Sequence, residues 1–117
     1  MRLFVDSIRQ QRVEIIAQYN DALRQTYWGG KILMTSGVAE LADEISQRLF
    51  AAVRDFDNFT SDNDPYGEHN FGKVTVDGKD YFWKIDYYDL EMCYHSSDPG
   101  NPDVTQRVLT IMKAEEY

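Results

Sequence analysis

Apolar residues recur at three- and four-residue steps from Ile8 through Ile15, Ile16, Tyr19 and Leu23 to Tyr27, with Arg9, Gln10, Glu14, Gln18 and Asp21 on the other side. That period predicts an amphipathic helix, and Gly29-Gly30 supplies its stop because glycine accepts the left-handed cap. A second stripe, Val38, Leu41, Ala42, Ile45, Leu49, Val53 and Phe56, predicts another helix, opened by Thr35-Ser36-Gly37 with Glu40 in its first turn. Lys31-Ile32-Leu33-Met34 between them reads as an edge strand or a connecting segment. After about residue 57 the chain becomes rich in β-branched and aromatic residues. Asp77-Gly78 is a favoured two-residue hairpin turn, which pairs Val76 with Lys79, Val74 with Tyr81 and Gly72 with Trp83. Alternation then puts Val74, Val76, Tyr81, Trp83, Ile85 and Tyr87 on one face, with Gly72 leaving room for the indole of Trp83. Ser96 to Pro102 is a loop. Val104 to Met112 is expected to be a strand on its β-branched content, although Asp103 followed by Gln106 imitates a helix capping box. The fold class expected is α+β: two N-terminal helices packed on one face of a C-terminal antiparallel β-sheet of three to four strands. Residues 1–117 are expected to form a single domain, with a helical half over 1–57 and a β half over 58–117.

A chain of 117 residues, 43% of them hydrophobic, is long and apolar enough to sustain one core without staples. Cys93 is the lone cysteine, so an internal disulfide is excluded and a reducing compartment fits. No apolar run approaches the roughly 20 residues that span a bilayer, and Asp6, Arg9 and Arg12 interrupt the N-terminus where a signal peptide needs an apolar stretch. A cytoplasmic location is expected, with no membrane partner. The net charge of -8 is unevenly placed: residues 1–60 carry seven Lys or Arg against eight Asp or Glu, and residues 61–117 five against twelve. An acidic second half repels nucleic acid and draws basic surfaces, so the partner expected is a basic protein or nucleoprotein complex rather than DNA or RNA directly. Solubility alone would also account for such a charge.

The densest chemistry lies in Asp62-Asn63-Asp64-Pro65-Tyr66-Gly67-Glu68-His69-Asn70-Phe71-Gly72. Asp62, Asp64 and Gly67 match positions one, three and six of an EF-hand loop, but Tyr66 and Lys73 stand where oxygen ligands are required, so that reading fails. Asp62, Asp64, Glu68, His69, Asp86 and Asp89 offer donors for another divalent metal, without the paired-histidine or Cys/His spacing that marks one. Glu68 and His69 suit general acid/base work, yet neighbours on extended backbone point apart and need an irregular segment to act together. The simpler expectation is a demanding turn: Asp64-Pro65 starts it, Gly67 takes positive φ, and Glu68 or His69 binds backbone amides. Cys93 beside Tyr94 and His95 could form a catalytic pair, but a lone cysteine among Leu90, Met92 and Tyr94 is expected to be a small core residue, and Ser96 and Ser97 lack a nucleophile elbow. No phosphate-cradling or dinucleotide-binding glycine motif is present. No catalytic residue, metal or cofactor is assigned. Phe82 and Tyr88, on the sheet face opposite Val74, are expected to be exposed partner anchors among Lys73, Asp80, Lys84 and Asp86.

The stretches DNDPYGEHNFG (62–72), WKIDYYD (83–89), 97–102 and RVLTIMKAEEY (107–117), together with the Thr35-Ser36-Gly37-Val38 helix start, resemble the bacterial domain-of-unknown-function family 3768. Asn70 stands where that family typically has aspartate after Gly-Glu-His. The resemblance implies no activity. It implies small, mostly alphaproteobacterial proteins often carried on plasmids and other mobile elements, and through that context evasion of host defence. The residues agree in one respect, since carboxylates can imitate phosphate spacing in a basic channel, although Lys73, Lys79 and Lys84 interrupt the acidic face. The function expected is therefore a non-enzymatic acidic inhibitor of anti-CRISPR or anti-restriction type. Its partner-binding residues would be Asp62, Asp64, Glu68, His69, Phe82, Asp86, Tyr88 and Asp89. The alternatives are a small metal-assisted hydrolase using Glu68 and His69 with Asp64 or Asp86, and a mobile-element interaction domain without a defence role.

Overall fold

The structure is a computed structural model that describes residues 2–117, with side chains described from Ser7 onward. Helix α1 (Arg2–Thr26) leads to strand β1 (Lys31–Met34), the one-turn helix α2 (Ser36–Ala39) and helix α3 (Asp43–Arg54). Strands β2 (Phe71–Val76), β3 (Lys79–Tyr88) and β4 (Gln106–Lys113) come next, and a 3-10 turn (Ala114–Glu116) closes the chain. The architecture is α+β, a four-stranded sheet in the order β1-β4-β3-β2 with helices on one face.

The hairpin has the expected register, with Val76 opposite Lys79, Val74 opposite Tyr81 and Gly72 opposite Trp83. Gly72 is required there because a Cβ would lie 2.5 Å from the indole Nε1 of Trp83. The last strand pairs back on the hairpin, Ile111 against Trp83 and Leu109 against Ile85. The expectation of an antiparallel sheet is corrected at β1, which runs parallel to β4 with Lys31 beside Val108. Helices α2 and α3 carry the chain from the β1 edge across the sheet to the β2 edge. Such a crossover returns the chain to the end it left, so β2, and with it β4, runs in the direction of β1. Strand β1 is an edge strand as well as a connection.

The single second helix is also corrected. Ala42 is extended (φ -60, ψ 147), and the stripe from Val38 to Phe56 is divided among α2, the bend at Leu41 and Ala42, α3 and the residues just after it, with Ala42 as N-cap and Asp43 and Glu44 in the first turn of α3. Val38, Leu41, Ile45, Leu49 and Val53 still meet one core, because one helical turn plus a bend holds the inward side. That core joins them to Leu23, Val74, Val76, Tyr81, Trp83, Ile85, Tyr87, Leu109 and Ile111. In α1 the buried side is turned from the sequence reading: Ile15 and Tyr19 are exposed, whereas Ala17, Asn20, Leu23 and Arg24 are buried. Two polar residues one turn apart thus enter the interior, and each anchors a hydrogen-bond network between α1 and the rest of the fold.

Candidate functional site

Arg24 is about 1% exposed and caps α3: its Nη1 donates to the carbonyls of Val53 and Arg54 at 3.0 and 2.9 Å, groups that a helix C-terminus leaves without an i+4 partner. Its guanidinium lies over Trp83 and Phe59, 5.1 and 5.5 Å from the ring centroids, and Nη2 pairs with Asp21 at 3.0 Å. Asp21 passes the network to the loop. Both of its carboxylate oxygens lie 3.0 Å from Nδ1 of His69, and Nε2 of that ring faces Asp64 at 3.7 Å. The imidazole stacks flat on Phe59, with centroids 3.9 Å apart.

The backbone needed to hold this ring is irregular. Gly67 has φ +74 and His69 itself φ +56, the left-handed region that non-glycine residues seldom occupy. The Gly67 N–H donates to the Asp64 carbonyl at 3.1 Å, the turn expected at Asp64-Pro65, and the Asp64 carboxylate accepts the His69 N–H at 3.2 Å. The aspartate therefore binds the backbone amide, a role the sequence reading gave to Glu68 or His69. Asp64 is only 5% exposed at its side chain.

Glu68 turns the other way, into a second network. Its Oε1 accepts from the Tyr87 hydroxyl at 2.8 Å. The buried Asn20 amide donates to that hydroxyl and to the Glu68 carbonyl at 2.8 and 2.9 Å, and its oxygen accepts from Arg107 Nε at 3.0 Å. Arg107 reaches the Pro99 carbonyl with its other end and is flanked by the rings of Tyr19 and Tyr87. Burial pushes the Tyr87 hydroxyl far above its ordinary range, with the Glu68 hydrogen bond adding to it; burial also lowers Arg107.

The Gly-Glu-His triplet is thus a clamp between α1, the loop and the end of β3. Both ring nitrogens of His69 face carboxylates and the Glu68 carboxylate is engaged by Tyr87. Among the described residues no group of three or more His, Cys, Asp or Glu is placed to hold a metal ion.

The remaining candidates are scattered around this clamp. Asp62 is exposed on the loop, Asp86 pairs with Lys84 at 3.1 Å, and Asp89 accepts the Cys93 N–H at 2.9 Å to set the turn after β3, a turn that leaves Cys93 exposed rather than in the core. Phe82 is half-buried between Phe71 and Tyr117, at centroid distances of 5.3 and 5.2 Å, and Tyr88 is half-buried. What the fold does assemble is a pole of one charge. Strand β2 begins, β3 ends and β4 begins at the same end of the sheet, so residues 55–70 and 89–105 both emerge there. Segments 55–72 and 85–106 contain no Lys or Arg and five Asp or Glu each. Asp57, Asp62, Glu91, Asp98 and Asp103 are exposed on them. Tyr66, Leu90 and Tyr94 are strongly exposed on the same segments, 79%, 61% and 77%.

Asn20, Arg24, Tyr87 and Arg107 escaped the sequence reading as a network. A signal existed: Asn20 and Arg24 are four apart and flank Leu23 on the inward stripe, and an inward Tyr87 needs a partner for its hydroxyl.

The class these features define is a two-layer α+β domain whose loops gather carboxylates at one end of the sheet. The model of the family described as protein of unknown function, DUF3768, matches residues 34–116, and the chain belongs to that family. Helix α1, which supplies Asn20, Asp21 and Arg24, lies before the matched span. Neither the curated proteins nor the solved structures give a match.

Proposed function

We propose that this protein is a non-enzymatic inhibitor or adaptor that holds a basic protein or nucleoprotein complex against its acidic pole. The observation that carries the reading is the convergence of the cation-free segments 55–72 and 85–106 at one end of the sheet. Apart from Asp55 and Asp86, which pair with Arg54 and Lys84 outside the segments, their exposed carboxylates act as one field on a basic groove. Tyr66, Leu90 and Tyr94 supply the aromatic and aliphatic anchors from which binding energy is usually drawn. The basic channels of complexes that restrict or cleave foreign nucleic acid have the complementary chemistry, so an anti-CRISPR or anti-restriction role is the finer form of the proposal. Asp62, Asp86 and Asp89 belong to the contact surface in this reading, while Asp64, Glu68 and His69 shape it from beneath.

The test is capture from a host lysate at low and high salt, with wild type and a variant carrying Asp57→Asn, Asp62→Asn, Glu91→Gln and Asp103→Asn. The expected result is a nucleic-acid-binding component retained by wild type at low salt, released at high salt, missed by the variant, and blocked from its nucleic acid by the purified protein. A captured set identical for wild type and variant would overturn the proposal. The metal-assisted hydrolase alternative is less favoured, because among the described residues no group of three or more His, Cys, Asp or Glu is placed to hold the metal it needs.

A further inference from the structure

Strand β1 is an open sheet edge, and we infer that it is the self-association surface of this protein, pairing antiparallel with β1 of a second copy about a two-fold axis through Leu33. The backbone phase carries the argument. In a strand each residue sends its N–H and C=O to the same side, and neighbours alternate. The Thr35 N–H donates to the Ile111 carbonyl at 3.1 Å, so Lys31, Leu33 and Thr35 face β4, while Ile32 and Met34 present their N–H and C=O groups to the open edge. Two free residues spaced by one are self-complementary. Ile32 of each copy exchanges both bonds with Met34 of its mate, and Leu33 meets Leu33 on the axis as the pair without hydrogen bonds.

The side chains fit that register. Leu33 and Met34 are 48% and 47% exposed, and Trp28 nearby is 82% exposed. The edge carries no proline or bulge, and Lys31 is its one charge. Lys31 falls opposite Thr35 of the second copy. Thr35 holds Glu116 through a 2.6 Å hydrogen bond, and that carboxylate also accepts from the N–H of Gly37. The register therefore sets a lysine beside a fixed carboxylate at each end of the paired strands, which selects it over pairings shifted by one residue. The charge that usually guards an edge against pairing becomes a partner here. Eight strands would form one continuous sheet, leaving the acidic poles free.

Sedimentation of the full chain over a concentration series tests this. Wild type is expected to dimerise, and Leu33→Lys, which sets like charges face to face, to weaken the dimer at least about tenfold. Leu33→Cys in a Cys93→Ser background gives a second readout. Residues opposite each other in a pair without hydrogen bonds have Cα atoms about 4.5 Å apart, within disulfide reach. Mild oxidation should link Leu33→Cys chains at least about ten times faster than Met34→Cys chains, whose cysteines are out of register. A monomer at all concentrations, a dimer indifferent to Leu33→Lys, or equal cross-linking at the two positions would overturn the inference.

Discussion

At the scale of single residues the fold turns on polar groups that the core cannot release. Arg24 satisfies the last carbonyls of α3 while its face covers Trp83 and Phe59. Replacing it by alanine leaves the Arg54 carbonyl without its donor and Val53 with only the Phe56 N–H at 3.3 Å, and opens a void, so Arg24→Ala should cost about 3 kcal/mol or more, measured as a lowered urea midpoint. Gly72 tests the opposite fault. A methyl there meets the Trp83 indole at 2.5 Å, and the indole is held edge-on by Phe56 at 5.5 Å. Gly72→Ala should therefore destabilise by about 1–3 kcal/mol through overpacking, lowering Tm by roughly 4 °C per kcal/mol. That glycine was legible in the sequence because the Asp77-Gly78 turn fixes the pairing and the pairing puts an indole opposite it. Arg24 was legible only as a neighbour of Leu23 on the inward stripe with Asp21 three residues before it; its capping role was not, because the acceptors are backbone carbonyls with no signature of their own.

At the scale of elements, periodicity carried the inward faces of α3, β2 and β3 and misjudged the joints. The stripe from Val38 to Phe56 is continuous in sequence, yet a helical turn and a separate helix satisfy it equally well, so the bend at Ala42 leaves no trace in the pattern. The parallel placement of β1 depends on where the crossover lands, which is a property of the whole sheet. The C-terminal turn is another such joint. Glu116 accepts from Thr35 Oγ1, the Gly37 N–H and the Lys113 N–H at 2.6, 2.9 and 2.9 Å, tying the end of the chain to the start of α2. Its carboxyl is held below the ordinary 4.5, first by the Thr35 hydroxyl and then by the backbone amides. A carboxylate depressed in the folded state adds stability that is fully present above its unfolded pKa and is lost as pH falls through the folded one. Glu116→Gln should thus lower Tm near neutrality and flatten the fall of Tm between about pH 5 and the acid limb. An unchanged acid limb would remove Glu116 from the latch.

For the whole molecule, charge and shape have been set against each other. The sequence displayed the excess of carboxylates after residue 60, but only the strand directions bring 55–72 and 85–106 to one end, since two acidic loops at opposite ends would have the same composition. Gathering like charges costs stability through self-repulsion, and a structural role alone gives no return for it, because the exposed side chains of Asp57, Asp62, Glu91 and Asp103 serve no internal cap or ion pair among the described residues. A pole retained for binding should therefore be a pole the fold would be more stable without. Raising salt from about 0.02 M to about 0.5 M shortens the screening length several-fold and should raise the Tm of the wild type. The variant with Asp57→Asn, Asp62→Asn, Glu91→Gln and Asp103→Asn should have a higher Tm at low salt and a smaller response to added salt, while losing the partner. If neutralising the four carboxylates instead lowered Tm at low salt, they would be structural, and the pole would no longer support a binding function.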